Sequence, residues 1–172
     1  IWGEQRRVSA AQAAFANGTL ADVLDWEDCS WTGHPSAGAI PAAFAAAERA
    51  GASGRDCVTA IVAGYEVYQR IAMAVQPTHE AYKKHGWGLT SWQIFAASVP
   101  AAKLVLETPR QMRQAIGIAA IMTPIVNRKI QLDRSDMYHY QHGLTSRDGI
   151  VAADIARSGI TGLEDVLDGD HG

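Results

Sequence analysis

The chain has 172 residues, 48% of them hydrophobic and 19% charged, which is the composition of one compact globular domain and not of a disordered segment. Fifteen Lys and Arg against eighteen Asp and Glu leave a formal charge of −3, and no cationic cluster is dense enough to follow a phosphate backbone, so nucleic acid is excluded as an expected partner. No run of about 18 uninterrupted apolar residues marks a membrane span, and Cys29 and Cys57 lack the paired spacing of a disulfide framework or a zinc site, so a reducing, cytoplasmic setting is expected.

Helical signals follow one another along the chain. Ser9 to Asn17 is Ala-rich and meets a stop signal at Asn17-Gly18, and Pro41 to Ala50 is a second Ala-rich helix closed by Gly51. Ser53 with Asp56 forms a capping-box start for Val58 to Val75, which is apolar on most of its circumference and is expected at the centre of a bundle, with Tyr65 and Ile71 buried. On that helix Glu66 and Arg70 sit four apart and are expected to form a structural ion pair.

Pro77 to Gly88 reads as a loop, before a helix from about Ser91 to Leu106. Thr108-Pro109 supplies an N-cap and a first-turn proline for a helix to Met122. Asn127 to Thr145 has no helical period. Ser146 to Ser158 is helical and stopped by Gly159, and Thr161 with Glu164 opens a last short helix. Strand signals are nearly absent. The fold class is therefore all-α, a multi-helix bundle whose many alanines favour close helix approach.

Three stretches could carry chemistry. Asp25-Trp26-Glu27-Asp28-Cys29-Ser30-Trp31-Thr32-Gly33-His34-Pro35 packs three carboxylates, a thiol, two hydroxyls and a histidine between two helices, where rigid flanks can aim side chains. The same groups suggest metal ligation, but no second compact cluster in the sequence supplies further ligands, so no metal is expected. His79, Lys83, Lys84 and His85, ahead of Gly86 to Thr90, make a candidate anion pocket at a helix start. Arg128, Lys129, Arg134, Tyr138, His139, His142 and Arg147 combine acid–base groups with forked cations.

Taken in order, Ala13 to Gly18, Leu24 to Asp28, His34-Pro35-Ser36, Ala47-Glu48 with Gly51, Ala60 to Val67 with Arg70, and Gly159 to Gly162 resemble the MmgE/PrpD family, which includes 2-methylcitrate dehydratase and cis-aconitate decarboxylase. The resemblance implies the family's large helical domain as one unit over residues 1–172, with the family's smaller α/β domain expected to be absent. In the family's lyases an Asp, a Thr and a His line the substrate pocket, and by position these fall on Asp25, Cys29 and His34. Where the family carries Gly-Phe-His-x-Thr, this chain has Gly86-Trp87-Gly88-Leu89-Thr90, with Gly88 at the place of a catalytic His. A family Lys five residues before a Gly falls on Tyr138, counting back from Gly143.

The implied function is a lyase or isomerase-like enzyme that abstracts a proton from a small organic acid or related metabolite, without metal or organic cofactor. His34, Tyr138, His139 and His142 are the catalytic candidates, and Asp25, Cys29, His85 and Thr90 the substrate-binding ones. The alternative is a non-catalytic scaffold or subunit. Either would act as a homodimer or with a second chain that supplies the family's remaining regions.

Overall fold

A computed structural model describes residues 1–30, 33–75, 84, 88, 90–123 and 135–168. It contains six α-helices among these residues: α1 (Ala10–Asp22), α2 (Pro35–Ala50), α3 (Gly54–Val75), α4 (Gln93–Val105), α5 (Pro109–Ile121) and α6 (Gln141–Arg157). A 3-10 turn, Asp136–Tyr140, leads into α6. Extended structure among the described residues is confined to one isolated bridge, Ser30 to Gly33. The all-α bundle read from the sequence is the observed architecture.

Local chemistry sets most helix ends. Ser9 and Gln12 cap α1 reciprocally, and Thr108 and Gln111 do the same for α5, with Pro109 in its first turn. Ser53 accepts from the Asp56 N–H while Asp56 Oδ2 accepts from the Ser53 N–H and hydroxyl, as the capping signal requires. Gly51 ends α2 in the left-handed region at φ 63°, which costs glycine nothing.

Four boundaries differ from the sequence reading, each for a packing reason. α1 runs through Asn17-Gly18 to Asp22, because Gly18 is used for close approach and not as a stop: a Cβ there would lie 3.0 Å from the Gly143 Cα and 2.8 Å from the Ser146 Oγ. α2 begins at Pro35 and takes Pro41 into its interior. Proline cannot donate to the carbonyl four residues back, and the Ser146 hydroxyl bonds the freed Ala37 carbonyl at 3.2 Å.

α6 begins at Gln141 rather than Ser146, since its weak helix formers Gly143, Thr145 and Ser146 are buried in helix crossings. No helix forms at Thr161–Glu164. There Glu164 bonds Arg113 and Gln114 of α5, and is thereby drawn away from a local cap.

The bundle's centre is α4 and not α3. Ten consecutive residues of α4, Gln93 to Ala102, are buried, and it packs against α2, α3, α5 and α6. α3 buries only the stripe Cys57, Ala60, Gly64, Tyr68 and Ala72, and leaves Val58, Val62 and Met73 exposed. Tyr65 and Ile71 are half-buried, not core, and the fully buried ring is Tyr68. Glu66 and Arg70 do pair across one turn of that helix, Nε to Oε1 at 2.7 Å, on an exposed face.

Alanine dominates the core, with Tyr68, Trp92, Ile94, Phe95, Ile118 and Ile150 filling between close-set helices. No helix of the described residues is long and apolar enough to cross a membrane.

Candidate functional site

The first polar stretch is the connection from α1 to α2, and Asp28 pins it. Its Oδ1 accepts from the Ser36 N–H at 3.0 Å, capping α2 from eight residues upstream, and its Oδ2 accepts from the Tyr65 hydroxyl of α3 at 2.9 Å. Burial and the Asp28 carboxylate push the Tyr65 phenol upward, so it stays a donor. With Asp28 spent on this brace, the connection turns Glu27 inward and leaves Asp25 exposed. Asp25 sits at φ 54°, a left-handed conformation that Asp tolerates better than most residues.

His34 occupies the N-cap position of α2, yet its side chain makes no cap bond. Its Nδ1 lies 2.8 Å from Glu27 Oε1, and its carbonyl accepts from the fully buried Gln93 side chain of α4 at 2.7 Å. A second imidazole stands beside it. His142 in the first turn of α6 has its Nδ1 3.0 Å from Asp22 Oδ2 at the end of α1, and the two imidazole centroids are 6.0 Å apart. Both imidazole–carboxylate contacts are close ion-pair approaches without aligned hydrogen-bond geometry.

Burial grades the cluster. His142 and Asp22 are 2% and 1% exposed, whereas the His34 side chain is 17% exposed. Burial is the main influence raising the Glu27 carboxyl above its ordinary range, and Asp22's charge raises it further. A bond to its own backbone N–H, and then His34 and His142, oppose that shift.

Tyr138, on the 3-10 turn, donates its hydroxyl to Asp25 Oδ1 at 3.2 Å. Burial, with Asp25 beside it, pushes its phenol up to about 12, which suits a hydrogen-bond donor at neutral pH and not a base. His139 stacks edge-on against Tyr138, with ring centroids 5.2 Å apart.

Five of the sequence-selected residues, Asp25, His34, Tyr138, His139 and His142, thus lie in one contiguous cluster. Cys29 does not join it through any bond described: it is exposed, and its thiol contacts the Ser30 carbonyl at 3.7 Å. Thr90 is buried behind the cluster, where its hydroxyl donates to Gln141, the neighbour of His142. His85 lies outside the described residues, as do His79, Lys83, Arg128, Lys129 and Arg134. Gly88 is buried, its N–H on the Ser91 hydroxyl at 3.0 Å.

The sequence reading gave no role to Asp22 or Glu27. Asp22 carries one legible signal, because a carboxylate in the last turn of a helix opposes the helix dipole and needs another reason to be there. That signal is hidden once the helix is ended at Asn17. The structure also assembles what local spacing did not. Asp22, Glu27 and His142, and likewise Asp25, Glu27 and His34, bring metal-ligand types of atom within 4.8 Å of one another. Three hollows of the described surface, of about 530, 260 and 150 Å³, are lined by other residues; that of about 530 Å³ lies between the N-terminal segment and Ala45, Glu48 and Arg49 of α2.

The whole of residues 1–172 matches the family model for the MmgE/PrpD N-terminal domain. The chain belongs to the MmgE/PrpD family. It is 28% identical over 184 aligned residues to the cis-aconitate decarboxylase-like protein oryM of Aspergillus oryzae, a match that takes in all of this chain and 37% of that protein. The chain therefore spans well under half the length of this relative.

Proposed function

We propose that the histidine–carboxylate cluster is the active centre of a cofactor-independent lyase that moves a proton beside a carboxylate of a small organic acid. The observation that carries this reading is the placement of His34: a partly exposed imidazole whose Nδ1 rests on Glu27, with Asp25 and Tyr138 on its flank. His34 is the proton acceptor, since imidazole is the side chain that exchanges protons most readily near neutral pH. Asp25 orients a substrate hydroxyl, and Tyr138 supplies a donor. The relative's name and the family suggest tricarboxylic acids such as cis-aconitate and 2-methylcitrate as first substrates to try.

The test is incubation of the protein with each acid in deuterated water, followed by proton nuclear magnetic resonance for product and for exchange at carbon. Turnover or exchange that is lost in folded His34→Gln is expected, because glutamine keeps polarity and approximate size without acid–base capacity. Parental rates in that variant would overturn the assignment. A non-catalytic scaffold is the second reading, favoured by Gly88 and Tyr138 where the family pattern has His and Lys. Absence of exchange with every acid by a natively folded protein would support it.

A further inference from the structure

His34 and His142 each present Nδ1 to a carboxylate, but the two pairs are not equivalent. Asp22 and His142 are sealed, at 1% and 2% exposure, so a dissolved acid cannot reach His142. Of the two, His34 is the imidazole open to the surface. Glu27 stands between them, paired with His34 and with a carboxylate oxygen within 4.8 Å of polar atoms of both Asp22 and His142. Resting on the function proposed above, we infer that Glu27 is a positioning residue that fixes the ring tautomer of His34, leaving Nε2 as the nitrogen that exchanges protons with substrate.

An ionised Glu27 carboxylate is acceptor-only, so when the 2.8 Å approach closes into a hydrogen bond the hydrogen must sit on His34 Nδ1, which leaves the lone pair on Nε2. The substrate C–H proton then passes to Nε2, its electron pair stays with the substrate, and the imidazolium keeps its Nδ1–H on Glu27. Return of the Nε2 proton to the leaving group or to carbon restores the starting tautomer.

A protonated Glu27 would donate to Nδ1 instead and place the hydrogen on Nε2, which makes His34 an acid. Among the described residues, the charged or titratable groups around this pair are Asp22 from α1, Asp25 from the connection, His142 from α6 and Tyr138 from the 3-10 turn. Burial is the main influence on the Glu27 charge and its own backbone N–H opposes that; Asp22 then repels the charge, and His34 and His142 steady it.

The test uses the whole chain labelled with nitrogen-15 and long-range imidazole correlation spectra near neutral pH, which report the tautomer without any turnover. The parent is expected to show His34 as the Nδ1–H form, and Glu27→Leu, which has similar bulk and no acceptor, to release it to the Nε2–H form. With an acid that the parent turns over, kcat in Glu27→Leu is expected to fall by about 10²-fold or more with KM little changed. Glu27→Gln, whose amide oxygen can still accept, is expected to retain more of the Nδ1–H form than Glu27→Leu.

An unchanged His34 tautomer in Glu27→Leu would overturn the inference, as would an unchanged kcat. So would a stoichiometric metal ion retained by the parent and lost in Asp22→Asn, since the carboxylates would then serve the ion. A tautomer change in a protein that turns over no acid would sink the proposed function while leaving the Glu27–His34 relation standing.

Discussion

Gly18 of α1 and Gly143 of α6 meet backbone to backbone, and one turn along α1 from this contact Asp22 reaches His142, the residue before Gly143. The buried ion pair thus depends on two residues without side chains. A Cβ on Gly143 would collide with the Thr19 hydroxyl and come within 2.5 Å of the Phe15 carbonyl, which cannot retreat without moving α1. Gly143→Ala is expected to cost about 1–3 kcal/mol by overpacking, despite alanine's better helix propensity. Urea unfolding measures it. Gly54→Ala, where the added carbon meets nothing within 4 Å, serves as the control and should leave the midpoint unchanged or slightly raised.

Ser146 is fully buried, and its hydroxyl lies 3.2 Å from the carbonyls of both Ala37 and Gly38. Because Pro41 has no N–H to offer Ala37, Ser146→Ala leaves a buried acceptor short of a donor, a loss of about 1–3 kcal/mol. Ser146→Cys, of similar size with a weaker donor, should fall between parent and alanine variant in thermal unfolding. Equal stability of all three would show that Ala37 is satisfied in some other way.

The relocated core makes a comparative prediction. Ile94 of α4 is fully buried and Ile71 of α3 only partly so. Ile94→Ala is expected to cost about 2–5 kcal/mol, and Ile71→Ala less than that, because part of the latter's surface already faces water. Paired denaturation curves decide it. The reverse order would restore α3 to the centre.

Glu27 makes stability depend on pH in a direction opposite to most carboxylates. Well below its ordinary value of 4.5 the group is protonated folded and unfolded, and contributes nothing. Above 4.5 the unfolded chain releases the proton first, so the native state binds more protons and stability falls with rising pH until the folded carboxyl ionises too. Glu27→Gln is expected to lose this component. Its stability relative to the parent should therefore rise between pH 4.5 and neutrality, as read by urea midpoints at several pH values. A constant difference across that window would mean that His34 and His142 fully offset the burial of Glu27.

Much of the fold was legible in the chain because caps and helical periods are written within one or two turns. Ser53 with Asp56, Thr108 with Pro109, and Gly51 each satisfy backbone groups close by, and distant neighbours cannot easily change that. The ordered motifs from Ala13 to Gly162 were enough to indicate the family, and the stretch from Asp25 to His34 marked the connection that bears half of the cluster.

What only the tertiary structure decided is where surfaces meet. α3 and α4 are both apolar, and nothing local says that four helices close over α4 while α3 keeps water on one side. Gly18 reads as a stop until Gly143 is brought against it. Asp22 and Glu27 acquire meaning only beside His142 and His34, because the cost of burying a carboxylate, and the imidazole that offsets it, depend on which distant residue shares the same dry space.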